Sequence, residues 1–285
     1  MALDYRCFFC FAHAFEKLLI KAELSQEIAN QFTSKMISLY SNKQDQLSTP
    51  LFARELHNSL KKYTGNADPY KLVKKQSNDL VLEMYEQLKK QVDLSVNPFN
   101  MALRLAIAGN IIDFAINDQY NLDGSINKVL NSDFAIDHSL QLWDDLQKAK
   151  TVLYLGDNNG EIVLDKLFIE TIKHPNLIYA VRDTPVINDV TIKDARDVGL
   201  EKLVSVISNG FDAPSTILEQ CSNDFLDIYH QADVIISKGQ GNLEGLLNKS
   251  SGNIYYLLMV KCEVIAEVLQ VKKGDFVVVN NNHLK

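Results

Sequence analysis

After Lys150 the chain breaks into short β-rich runs, most of them spaced far enough apart to hold a helix, and this pattern restricts the fold more than any other feature. The runs are Thr151–Leu155, Leu177–Val181, Leu203–Ile207, Asp233–Ser237, Asn253–Val260 and Asp275–Val279. Strands alternating with helices need right-handed crossovers, which place them in one mostly parallel sheet with helices on both faces. Before Lys150 apolar residues recur at helical spacing, as in Phe11, Phe15, Leu18 and Leu19, and again in Leu72, Val73, Leu80 and Met84. Pro50, Pro69 and Pro98 each follow a Thr, Asp or Asn that can cap a helix. This half is predicted to hold about five or six helices and no strand, with Gln119–Asp133 as a loop joining it to the rest. The expected class is α/β: a helical domain over 1–135, then a three-layer α/β/α domain over 136–285 that carries the site.

The chain has 285 residues, 46% of them hydrophobic, enough for a sizeable core. Its net charge is -7, and Lys and Arg are dispersed. Phosphate-backbone binding needs a concentrated basic face, so no nucleic-acid partner is expected. No apolar run approaches the ~20 residues of a membrane span. The opening MALDYRCFFCFAHAFEKLL lacks a basic leader and a small-residue cleavage site, and Asp4, Arg6 and Glu16 interrupt it. A cytoplasmic location is expected, with Cys7, Cys10, Cys221 and Cys262 as reduced thiols. Nothing in the sequence sets an oligomeric state.

Ligands of open α/β sheets sit outside the carboxyl ends of parallel strands. Four predicted strands end in small, polar or charged residues: Gly156–Glu161, Arg182–Pro185 leading to Asp189, Ser208–Asp212, and Lys238–Glu244. Asp157 and Asn158 are adjacent hard oxygen donors, and Asp189 can supply a third, which suits Mg²⁺ or Mn²⁺ beside a phosphate oxygen. Helix capping is the competing role for both aspartates. Ser237, Lys238 and Gly239 read as an anion cradle ahead of a helix N-terminus. Neither glycine-bearing segment matches the Walker A or dinucleotide spacing. Cys7 and Cys10 form a Cys-x-x-Cys that can share a second metal with Cys262 if the N-terminus folds back; packing is the plainer role.

Together LGDNNGEIVLD, VRDTPVINDVT, ISKGQGNLEGL and YYLLMVKCEVIA resemble the damage-control metal-dependent phosphatases, a former family of unknown function, in its branch with an N-terminal Cys-x-x-Cys. The helical half agrees through Asp68-Pro69-Tyr70 with Lys74 and Asn78, and through Ala108–Asp113. The resemblance spans nearly the whole chain and implies a helical domain on an α/β/α domain. It implies a divalent cation (Mg, Mn, Co or Ni) on Asp157, Asn158 and Asp189, and a phosphate loop at Ser237, Lys238 and Gly239. Asn110 and Asp113 resemble residues that reach the cleft from the helical domain. Asp183 stands where relatives often carry a small residue, which bears on the substrate contacts near Arg182. The implied activity is hydrolysis of small phosphorylated metabolites such as sugar phosphates. Glu161 and Asp113 are candidates to orient an attacking water, and an aspartyl-phosphate route through Asp157 is the alternative. Binding without turnover and S-adenosylmethionine-dependent carboxyl methyl transfer are the rival functions, though no suitable glycine-rich turn supports the latter.

Overall fold

A computed structural model describes residues 3–115, 122–249 and 252–284; side chains at 110–115, 122, 123 and 125 lie outside that description. Helices α1 (Tyr5–Lys21), α2 (Gln26–Lys43), α3 (Thr49–Thr64), α4 (Lys71–Leu94), α5 (Pro98–Ala115) and α6 (Leu122–Asn131) come first. Then follow β1 (Phe134–Asp137), α7 (Ser139–Lys148), β2 (Val152–Leu155), α8 (Glu161–Ile172), β3 (Leu177–Val181), α9 (Ile192–Asp197) and β4 (Ser205–Ser208). The chain ends with α10 (Asn223–Gln231), β5 (Val234–Lys238), α11 (Gly239–Leu246), β6 (Ile254–Met259), α12 (Glu263–Leu269) and β7 (Phe276–Asn280).

Among the described residues the strands form one seven-stranded sheet, ordered β1-β7-β6-β5-β2-β3-β4. All neighbours pair in parallel except β6 with β7. The period of two decides which side chain enters which layer. Tyr154, Tyr179, Ile236, Leu257 and Val278 face one cluster, packed with residues of α4, α5, α7 and α8. Leu153, Ala180, Ile235, Tyr256 and Val277 face the other, packed with α10, α11 and α12. This is the expected three-layer α/β/α arrangement. Helix α5 is largely enclosed by protein, with Leu103, Leu105, Ala106 and Ile107 fully buried, while Asn100 and Arg104 stay partly exposed. It lies directly on α8, where a Cβ on Gly109 would stand 2.9 Å from the Glu161 Cα, so only glycine permits this approach. Helices α1, α2 and α3 keep a separate cluster around Phe15, Phe32, Phe52 and Leu56.

Some details depart from the sequence reading. The stretch expected as a loop over Gln119–Asp133 contains α6, whose Ile126 and Val129 enter the core, and residues 116–121 lie outside the description. The unforeseen strand β1 adds an edge to the sheet beside β7. The proline-led starts mostly hold: Pro50 sits in the first turn of α3 and Pro98 opens α5, where Asn97 accepts from the Asn100 N–H. Pro69 instead precedes α4. No helix among the described residues is long and apolar enough to cross a membrane.

His57 of α3 gives the helical cluster a pH-dependent arm. It is buried between the rings of Phe15 and Tyr70, at 4.8 and 5.7 Å. Burial, with Lys61 adding to it, pushes its pKa down to about 3. In the unfolded chain a histidine titrates near ~6.5. The unfolded state therefore binds more protons between these values, and stability rises with pH. This contribution is complete above the unfolded value and is lost as pH falls toward 3. Replacing His57 with Phe is expected to flatten the acid limb of the unfolding midpoint, where the native slope reaches about 1.4 kcal/mol per pH unit. Denaturant titrations at several pH values check this.

Candidate active site

The loop after β2 and the loop after β3 are zipped together at the carboxyl edge of the sheet. The Val190 N–H donates to the Asp157 carbonyl at 2.9 Å, and the Asn159 N–H donates to the Asn188 carbonyl at 2.9 Å. Asn158 and Asp189 form an antiparallel bridge. Asp157, Asn158 and Asp189 thus meet, each less than a tenth exposed. Asn158 Nδ2 donates to Asp157 Oδ2 at 2.7 Å. Gly239, at φ 76° after β5, completes the wall: a Cβ there would lie 1.8 Å from Asp157 Oδ2.

Helix α4 supplies the brace. Asn78 Nδ2 donates to Asn159 Oδ1 at 2.8 Å, while its Oδ1 accepts from the Gly160 N–H at 2.6 Å. Both ends of one buried carboxamide therefore fix the turn beside Asn158. Lys74, on the same helix, binds Asp68 at 2.9 Å and Asp194 at 3.2 Å. Asp194 belongs to the capping box of α9 with Thr191, just past Asp189. Asn78→Ala orphans two buried polar groups, which costs about 1–3 kcal/mol each at most. It is expected to lower the unfolding midpoint and to weaken divalent-cation binding; Asn78→Asp, which keeps the acceptor for the Gly160 N–H, recovers part of the stability. Calorimetry with Mn²⁺ and chemical denaturation check both arms.

Charge accumulates here. Burial raises the Asp157 carboxyl well above its ordinary range, and the Glu161 and Asp189 carboxylates raise it further, against Lys261 and Arg182. Arg182 is itself buried: its Nε donates to Asp189 Oδ2 at 2.8 Å and an Nη lies 3.7 Å from Asp157 Oδ1. Asn242 accepts from Arg182 at 3.1 Å and donates to the carbonyls of Gly156 and Lys238. Ser237 Oγ is buried with no hydrogen-bond partner among the described residues.

Lys238 lies deeper than an anion cradle requires. Its ammonium is fully buried and donates to the Ala106 carbonyl at 2.9 Å, to Asp165 at 2.6 Å and to Glu161. These account for its three N–H bonds. Asp165 also accepts from the hydroxyls of Tyr154 at 2.7 Å and Tyr179 at 2.8 Å. Burial raises the Asp165 carboxyl to about 6, with Lys238 acting the other way. Burial works against the Lys238 charge, but Asp165 and Glu161 outweigh it and hold the pKa above normal.

Asn110 and Asp113 belong to α5, but their side chains lie outside the described residues. Cys7 and Cys10 lie on α1, and Cys262 is the N-cap residue of α12, where Gln240 of α11 donates to its Sγ at 3.4 Å. Sequence reasoning missed Asp165, Asn242 and Lys261 as members of the charge network. Asp165 had one usable signal: it follows Glu161 by four residues and so shares its helix face. A cleft of ≈ 700 Å³ lined by Lys89, Glu170 and His174 lies at the amino ends of the strands, away from these groups.

Residues 3–277 match the model of the ARMT1-like damage-control phosphatase domain. The chain belongs to that family. It is 32% identical over 286 residues to a damage-control phosphatase of Pyrococcus horikoshii, covering 99% of each chain. It is 31% identical over 233 residues to a damage-control phosphatase of Archaeoglobus fulgidus, covering 79% of this chain and 80% of that one. A crystal structure of a DUF89 family protein from Pyrococcus horikoshii superposes with a TM-score of 0.90 at 30% identity, covering 99% of both chains. Family, fold class and phosphatase class thus agree with the sequence reading.

The donor set also suits the divalent cation that the family implies. Two carboxylates and a carboxamide oxygen are hard donors, and a buried carboxyl raised by two neighbouring carboxylates is relieved by a cation. Among the described residues no group of three or more His, Cys, Asp or Glu side chains is arranged to hold a metal. The triad is not such a group, because its third member is an asparagine.

Proposed function

We propose that this protein is a divalent-metal-dependent phosphatase acting on small phosphorylated metabolites, with Mg²⁺, Mn²⁺, Co²⁺ or Ni²⁺ held by Asp157, Asn158 and Asp189. The observation that carries the reading is the Asn158–Asp189 bridge, which sets the donors of two loops side by side at the carboxyl edge. A cation bound there supplies Lewis acidity to a phosphoryl oxygen and offsets charge that develops during transfer.

The chain's own groups do the rest. Ser237 Oγ and the backbone N–H groups at Gly239, the start of α11, face the phosphate as donors, favoured by the helix dipole. Arg182 and Lys261 are the cations that act on Asp157, so they screen the approach of an anionic substrate. Glu161 orients the attacking water, and Lys238 holds Glu161 in place from inside the protein. Lys238 thereby acts through Glu161 rather than by gripping phosphate. Water is the favoured nucleophile, because an Asp157 committed to a cation is a poor one.

The test is phosphate release from sugar phosphates and p-nitrophenyl phosphate, with each of the four cations and with a chelator. Release that needs the cation is expected. Folded protein that releases phosphate equally well in the chelator contradicts the reading.

A further inference from the structure

Asn242 of α11 is fully buried, although asparagine is a poor residue for a helix interior. Both ends of its carboxamide are committed. Its Nδ2 donates to the Gly156 carbonyl at 3.1 Å and to the Lys238 carbonyl at 2.8 Å. Those carbonyls stand at the ends of the neighbouring strands β2 and β5, just before Asp157 and Gly239. Its Oδ1 accepts from the Thr216 N–H at 2.9 Å, from the Thr216 hydroxyl at 3.0 Å and from Arg182 Nη2 at 3.1 Å. Gly241 and Gly245 let α11 lie this close to residues 214–216. A Cβ on Gly241 would stand 2.4 Å from the Pro214 carbonyl oxygen, and one on Gly245 2.4 Å from that of Thr216.

The nitrogen that Asn242 holds is the one nearest Asp157. Arg182 Nη2 lies 3.7 Å from Asp157 Oδ1, outside hydrogen-bond range. A guanidinium and a buried carboxylate gain more from direct, charge-assisted bonds than from standing apart. Arg182 is otherwise anchored by Nε on Asp189 Oδ2 at 2.8 Å and by Nη1 on Thr216 Oγ1 at 3.4 Å. A small swing about the Asp189 anchor would close Nη2 on Asp157. Asn242 opposes that swing and cannot follow it, because its own Nδ2 is tied to two strand ends.

We propose that Asn242 is a positioning residue that holds the Arg182 guanidinium back from Asp157, so that an internal cation does not take the place of the divalent one. The proposal rests on the cation site proposed above and adds to it a residue outside the donor set. Arg182 remains close enough to act on both aspartates as a countercharge, yet it leaves the Asp157 carboxylate open to a metal ion. Outer partners of this kind set the orientation of metal-holding side chains and the affinity of the site. Thr216 shares the task, since its hydroxyl touches both Asn242 Oδ1 and Arg182 Nη1.

The test uses the full chain and reads geometry and metal affinity rather than turnover. In crystals of metal-free Asn242→Ala, Arg182 Nη2 is expected to leave its 3.7 Å position and reach hydrogen-bond distance of Asp157. A guanidinium that keeps its place overturns the proposal. By calorimetry, Asn242→Ala is expected to weaken Mn²⁺ binding about tenfold or more, as the loss of a second-shell partner does. In an Arg182→Met background the same substitution is expected to cost about twofold at most, because the competing cation is gone. An equal loss in both backgrounds would mean that Asn242 acts only by tying the strand ends, and overturns the proposal. Should Asn242→Ala fail to fold, Thr216→Val, which removes one hydroxyl, decides: Mn²⁺ binding about threefold weaker is expected, and wild-type affinity overturns the proposal. Wild type that binds no Mn²⁺ overturns the cation site and the proposal together, whereas unchanged Mn²⁺ affinity in folded Asn242→Ala overturns the proposal alone.

Discussion

Asp157→Ala is expected to lower cation-dependent phosphate release by about 10²–10⁴-fold, the several kcal/mol of charge stabilisation that a catalytic cation provides. Stability is expected to move differently. Asp157 is buried beside Glu161 and Asp189, and this crowding raises its carboxyl well above the ordinary range. Its replacement removes one of three close negative groups while Arg182 keeps its 2.8 Å bond to Asp189. The unfolding midpoint is therefore expected to hold or rise as activity disappears, the signature of a site kept for function at a cost in stability. Initial rates and a denaturant titration on one preparation check this. Loss of activity together with unfolding would mean that Asp157 is a structural residue.

Lys238→Met produces the second large effect, and here stability falls. The ammonium is the buried cation between Glu161 and Asp165. Removing one partner of a buried pair typically costs about 3–5 kcal/mol, because the remaining charges stay desolvated. The deficit depends on pH with a definite sign. Asp165 already has a raised carboxyl at about 6, mainly through burial. Folding therefore favours its protonated form, and the stability this gives is lost as pH rises through that value. Without Lys238, which acts to lower it, the Asp165 carboxyl moves further up, so the gap between variant and wild type widens from acid toward neutral pH. Urea titrations near pH 5 and pH 8 test it; an equal deficit at both would show that packing, not charge, is the lost contribution.

This assignment of Lys238 shows where the sequence was legible and where it was not. The loops Gly156–Glu161 and Arg182–Asp189 were identifiable because polar residues after apolar runs have few other places to go. The sequence placed Lys238 just past a strand ending at Ser237, as the phosphate-holding charge of an anion cradle. The strand runs one residue further, to Lys238, and its interior includes that side chain. Terminal residues of strands are set by pairing, here with Leu257 of β6, which no local pattern reveals. Helix α6 was hidden because Asn121, Asp123, Gly124 and Asn127 carry turn chemistry, while its Ile126 and Val129 gain their weight only from tertiary burial. Strand β1 has four residues, too few for a periodic signal, and exists because β7 offers it an edge. The reversed direction of β7 follows from how α12 returns the chain, again a tertiary matter.

The braces around the site were legible only as resemblance. Lys74 and Asn78 stood in a motif with no evident role; in the fold they tie α4 to the turns that carry Asn158 and Asp189. Their function is relational, so no property of either residue alone could state it.

The central claim is that Asp157, Asn158 and Asp189 hold the catalytic cation. Its most direct measurement is anomalous scattering from crystals soaked in Mn²⁺. The account predicts a strong peak within coordination distance of all three side chains, absent in Asp189→Ala crystals. A fully soaked crystal with no peak there, or with its strongest peak elsewhere, would contradict it.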